Sequence, residues 1–80
     1  MTDLSDADKA LLDIEGKTWV YPGAKETAVR KATGLSMTRA MQELNRLIDT
    51  EAALAYAPMT VNRLLRLRQR RQLSRSARRA

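Results

Sequence analysis

The sequence contains no cysteine, no histidine and no phenylalanine among its 80 residues. The absence of cysteine excludes disulfide-stapled secreted miniproteins, zinc fingers and thiol enzymes. Without histidine the chain lacks the commonest general base and metal ligand, so we expect a binding protein that is not an enzyme. No apolar run approaches the roughly 18 residues of a membrane span, and the acidic start is unlike a signal peptide. We therefore expect a small cytoplasmic protein with no cofactor, metal, membrane or small-molecule substrate.

Positive charge is what the sequence does have, and it is concentrated at one end. The chain holds 15 lysines and arginines against 9 acidic residues, a net charge of +6. Residues 60–80 contain eight arginines and no acid, whereas residues 1–59 are close to neutral at −2. A near-neutral domain over 1–59 followed by a basic helix or arm over 60–80 is typical of proteins that bind polyanions. All eight basic residues of this segment are arginines, which favours a role in bidentate phosphate contacts. The alternative is a disordered basic tail with no specific task.

The spacing of apolar residues predicts an all-α fold with no strand. A first helix is expected to begin at Ser5, whose side chain can cap it, and to end before the Pro22-Gly23 pair, with Trp19 closing its apolar stripe. A second helix is expected over 24–33, ending at Gly34 in a left-handed conformation. Its predicted inner stripe consists of small residues at i, i+4 and i+8, namely Ala24, Ala28 and Ala32, with Val29 on the flank of the stripe.

A third helix is expected from residue 37 to about residue 49, capped by Ser36. Its apolar residues lie within roughly 60° of Leu44 on a helical projection. They are Met37, Ala40, Met41, Leu44, Leu47 and Ile48. A short helical turn over 50–57 and a final helix beginning at Pro58 complete the chain, and the distal half of the final helix is expected to project into solvent.

The second and third helices, joined by Gly34-Leu35-Ser36, have the pattern of a helix-turn-helix. We therefore predict a three-helix helix-turn-helix core followed by a long arginine-rich C-terminal helix. In this interpretation Thr38, Arg39 and Gln42 reach base edges in the major groove, which is about 12 Å wide. The expected phosphate contacts come from the turn region, the third helix and the basic arm: Lys25, Lys31, Ser36, Arg46, Arg63, Arg66, Arg68, Arg70, Arg71, Arg75, Arg78 and Arg79. The alternative is a helical bundle whose polar face meets only water.

Several segments also resemble a known family. They are the run Trp19-Val20-Tyr21-Pro22-Gly23-Ala24-Lys25-Glu26, the pair Val29-Arg30, Gly34-Leu35-Ser36 with Thr38-Arg39, and Leu44-Asn45 with Leu47-Ile48-Asp49. Together they resemble a small actinobacterial and actinobacteriophage family catalogued as a domain of unknown function. The resemblance implies a helix-turn-helix DNA-binding role, and it matches Lys25, Thr38 and Arg39 to positions that face DNA.

The predicted function is binding of double-stranded DNA in a sequence-tolerant or architectural manner. Eight arm arginines outnumber three base-contacting side chains, which favours phosphate contacts over sequence recognition. The sequence leaves three alternatives open: a sequence-specific phage or actinobacterial regulator, an adaptor that binds the transcription machinery, and an RNA-binding protein. It also leaves open whether the protein forms a homodimer.

Overall fold

The computed structural model describes residues 4–79, with side chains described as far as residue 77. This range contains five helices and no strand. They are α1 (Asp6–Glu15), α2 (Pro22–Thr33), α3 (Met37–Leu47), α4 (Glu51–Tyr56) and α5 (Pro58–Arg79). The predictions of an all-α fold and of a long last helix are confirmed.

Helix α1 begins at the predicted cap and ends earlier than expected. The Ser5 hydroxyl accepts a hydrogen bond from the Asp8 amide at 3.0 Å, and the Asp8 carboxylate accepts one from the Ser5 amide at 3.2 Å. This reciprocal pair is a capping box, which satisfies amides that the first turn leaves without partners. At the other end the chain leaves the helix at Gly16, and the Trp19 indole folds back to donate to the Ile14 carbonyl at 2.8 Å.

The connection between α2 and α3 follows the predicted chemistry. Gly34 has a φ of +74°, a left-handed conformation that disfavours any residue with a Cβ. Ser36 then caps α3, because its hydroxyl accepts a hydrogen bond from the Arg39 amide at 3.2 Å. Leu35, between them, is partly buried and packs against the core. The chain therefore reverses between two helices over three residues.

The predicted inner stripe of α2 is wrong. Ala24 and Ala32 are exposed and Ala28 is only half-buried, whereas Val29 is 1% exposed. The side of α2 that faces the body is the line Lys25, Val29 and Thr33, which are spaced four residues apart. Valine removes more apolar surface from water than alanine does, and Lys25 gains an ionic partner on this side, so both favour this rotation of the helix.

All five helices contribute to the core, and the predicted stripe of α3 is confirmed. Ala40, Leu44, Leu47 and Ile48 are buried, with Met37 and Met41 packed against them. The other buried apolar residues are Leu11, Leu12, Ile14, Val29, Ala53 and Val61.

Helix α5 belongs to the core only at its start. Val61 is buried and Leu64 and Leu65 pack on the core, but every side chain from 69 to 77 is exposed. A helix rises about 1.5 Å per residue, so the exposed part extends roughly 15 Å beyond the body. No helix in the described range is both long and apolar enough to cross a membrane.

Candidate nucleic-acid interface

The outer face of α3 presents three of the predicted contact residues to solvent. Thr38, Arg39 and Gln42 are all exposed, and Arg39 forms no ion pair within residues 4–77. Ser36 is also exposed; its oxygen caps the helix, which leaves the hydroxyl proton able to donate to a phosphate. The beginning of α3 is therefore accessible to a ligand.

Arg46, one turn further along α3, is already occupied. Its guanidinium donates to the Glu43 carboxylate, with Nη2 2.9 Å from Oε1 and Nε 3.4 Å from Oε2. This hydrogen-bonded pair lowers the pKa of Glu43 and raises the pKa of Arg46. A phosphate that binds Arg46 must compete with Glu43 for the same guanidinium.

Lys25 and Arg63 both bind Glu15, the last residue of α1. The Lys25 ammonium lies 2.7 Å from Oε1 of Glu15, and the side chains of these two residues are 25% and 8% exposed. A carboxylate this deeply buried needs a cation beside it, so Lys25 serves the fold. The Arg63 guanidinium donates to the Glu15 carbonyl, one of the carbonyls that a helix end leaves without an intrahelical partner.

Arg68 fixes α5 to the end of α3. Its Nη2 lies 2.6 Å from Oδ1 of Asp49, and its Nη1 lies 3.1 Å from both Oδ2 of Asp49 and Oδ1 of Asn45. The hydrogen-bonded pair lowers the pKa of Asp49 and raises that of Arg68. Sequence reasoning missed this junction; the signal was an amide and a carboxylate spaced i, i+4 on one flank of the third helix.

Six cations of the candidate interface remain exposed with no carboxylate partner among the described side chains. We call them the exposed interface cations: Lys31, Arg39, Arg66, Arg70, Arg71 and Arg75. Two lie around the α2–α3 turn and four lie on α5. The side chains of Arg78 and Arg79 lie outside the described residues.

A further polar cluster joins α1 to α4 and has no counterpart in the sequence predictions. The Tyr56 hydroxyl donates to the Asp13 carboxylate, at 2.9 Å from Oδ1 and 3.1 Å from Oδ2, which raises the pKa of Tyr56. The Lys9 ammonium lies 6.0 Å from the centre of the Tyr56 ring, at the limit of a cation–π contact. The described residues contain no cluster of three or more side chains suited to a metal.

Comparison with curated proteins and with solved structures finds no match to this chain. A family model described as "Protein of unknown function (DUF3263)" matches residues 3–76, which include all five helices except the last three residues of α5. The chain therefore belongs to the DUF3263 family.

Proposed function

We propose that this protein binds double-stranded DNA with little dependence on sequence, using α2 and α3 as a helix-turn-helix and α5 as a basic arm. The observation that carries the proposal is the placement of the exposed interface cations. Four acidic side chains of the body are paired with cations (Glu15, Glu26, Glu43 and Asp49), whereas these six cations are left exposed on α2, α3 and α5. Cations without internal partners can neutralise phosphates with no ion pair to break.

Helix α3 has the shape and chemistry for the major groove. A helix with its side chains is about 10–12 Å across, and the groove is about 12 Å wide. Arg39 can donate two hydrogen bonds to guanine, and Gln42 can pair with adenine. Burial of the opposite face around Leu44 holds these side chains outward on a rigid support.

The arm supplies the larger share of affinity in this proposal. Four exposed interface cations lie on α5, whereas only Arg39 carries charge on the outer face of α3 without an ionic partner in the described range. Phosphate contacts carry no sequence information by themselves, so an interface in which they dominate tolerates many sequences. The proposal includes an actinobacterial or actinobacteriophage origin and action in the cytoplasm, which is the host cytoplasm for a phage protein.

The second candidate is a sequence-specific regulator. It is favoured by the accessibility of Thr38, Arg39 and Gln42 in the first two turns of α3, where a recognition helix contacts bases. A regulator of this kind prefers its own site over random duplex by a factor above roughly 10³.

Fluorescence anisotropy with the full chain tests the proposal. Labelled duplex DNA of random sequence is titrated at about 50 mM salt and again at about 200 mM salt, beside duplex RNA of equal length. We expect saturable binding to DNA that weakens steeply with salt. Absence of binding at low salt contradicts the proposal, and tighter binding to duplex RNA supports the RNA-binding alternative instead.

A further inference from the structure

The exposed half of α5 carries an uncharged polar row that the proposed function leaves unused. We define the polar row as Gln69, Gln72 and Ser76, which are spaced i, i+3 and i+7 on α5. At 3.6 residues per turn the three positions lie within about 60° of one another around the helix axis. All three side chains are exposed. Amides and hydroxyls that are aligned in this way can form hydrogen bonds with the edges of successive bases.

Two arginines flank the polar row, one on each side of it. Arg66 and Arg75 lie about 90° from the centre of the row in opposite directions, and Arg70 and Arg71 lie about 130° from it. All four are exposed. A helix inside a groove presents its centre to base edges and its two flanks to the phosphates of the two strands. Arg66 and Arg75 are therefore placed to reach the two strands beside the row, whereas Arg70 and Arg71 lie on the half of α5 that faces away from the row.

The groove width selects which groove can hold this helix. The minor groove is about 6 Å wide, too narrow for a helix of about 10–12 Å, whereas the major groove admits one. Residues up to 79 in α5 are helical without DNA, so the arm can enter a major groove in the conformation that it already has.

The polar row is also placed next to α3. Val61 and Leu65, which pack on the body, and Arg68, which bonds to Asp49, lie on the same side of α5 as the polar row, within about 40° of Gln72. The row therefore begins directly after the Arg68 junction, and Gln72 lies one turn beyond Arg68 on the side of α5 that faces the end of α3.

We infer that the distal half of α5 is a second base-contacting helix of this protein, an inference that rests on the proposed function. Each glutamine donates from its amide nitrogen to N7 of adenine and accepts at its amide oxygen from N6, and Ser76 bonds to either kind of base edge. Arg68 is a positioning residue that holds the polar row beside α3. The phosphate contacts of the flanking arginines supply affinity, and the polar row adds a preference for adenine-containing sites.

Selection of binding sites from a random duplex library tests this inference. The full chain is compared with the triple variant Gln69→Ala, Gln72→Ala, Ser76→Ala and with the control Ser74→Ala, whose position lies on the opposite side of α5. The triple variant keeps every charge and places the best helix former at each position, so it retains the helix and the phosphate contacts. Affinity for random duplex is therefore expected to stay within about twofold of that of the unchanged protein.

We expect the full chain and the control to enrich the same site, which contains adenine positions that the triple variant no longer prefers. The preference for those bases falls about fivefold for each glutamine removed, a modest preference that leaves binding to other sequences in place. An identical site in the triple variant, or binding of the full chain without any enriched sequence, overturns this inference and leaves the proposed function standing. Failure of the full chain to bind any duplex overturns the proposed function itself.

Discussion

Two pairs of arginines in this protein carry the same charge but differ in their surroundings. Arg70 and Arg75 are exposed on α5 and have no carboxylate partner among the described side chains. Arg30 is paired with Glu26 at 3.6 Å, and Arg46 is paired with Glu43 at 2.9 Å. Replacing either pair by glutamine lowers the net charge by two. We predict that only the loss of Arg70 and Arg75 changes the salt dependence of DNA binding.

The magnitude follows from counterion release. The logarithm of the binding constant falls against the logarithm of salt by about 0.9 per phosphate contacted. Six exposed interface cations, with Arg39 counted on a phosphate of the random duplex, therefore give a slope of about −5. Removing two contacts brings the slope to about −3.6. Between about 50 and 200 mM salt, the unchanged protein therefore loses about three orders of magnitude in affinity, and the Arg70→Gln, Arg75→Gln variant loses roughly 150-fold.

Anisotropy titrations of a labelled random duplex at four or more salt concentrations measure both slopes, and circular dichroism checks that each variant stays helical. The Arg30→Gln, Arg46→Gln variant serves as the matched control and is expected to keep the slope of the unchanged protein. Equal reductions of the slope in the two variants would refute the division into paired and exposed cations, because total charge alone would then govern binding.

Three further predictions concern the framework that holds the interface. Gly34→Ala introduces a Cβ at a φ of +74°, where no atom beyond the residue itself and its two chain neighbours lies within 4 Å, so backbone strain alone lowers the free energy of unfolding by about 1–2 kcal/mol. Thermal melting should show a decrease of several degrees, and an unchanged melting temperature contradicts this. Leu44→Ala empties the centre of the α3 stripe and is expected to cost about 2–5 kcal/mol in urea unfolding; a loss below about 1 kcal/mol would show that the site collapses or is not packed. The hydrogen bond from Arg68 holds the pKa of Asp49 below its ordinary value of 3.8. The stabilisation that this pair contributes is therefore complete above pH 3.8 and is lost as the pH falls through the lowered pKa of Asp49. The Asp49→Asn variant should therefore lose less stability than the unchanged protein between about pH 5 and pH 2, and parallel losses would contradict a contribution from this pair.

The sequence predicts α3 well because its side chains decide the outcome locally. Leucine, isoleucine and methionine at helical spacing form a single apolar face, which the fold buries. Ser36 caps the start of α3, and Gly34 ends α2. Helix α2 is different, since alanine is compatible with both core and surface. Its orientation depends on Lys25 meeting Glu15 across two helices, a contact that periodicity does not encode.

The candidate interface is likewise predictable from the sequence only in part. Composition alone locates the arginines of α5, because no acidic residue follows Glu51 in the chain. Which of them stay exposed depends on tertiary contacts: Arg68 meets Asp49 nineteen residues away, and Arg63 reaches the Glu15 carbonyl forty-eight residues away. The early end of α1 has a similar origin, because the carbonyl that Trp19 binds becomes accessible only when the chain turns at Gly16.

Equilibrium binding of the full chain to random duplex DNA, measured across a range of salt concentrations, tests duplex binding most directly. We expect saturable binding at about 50 mM salt with a slope of about −5 on the double-logarithmic plot. No binding at low salt, or an affinity that does not change with salt, would contradict a function based on arginine–phosphate contacts.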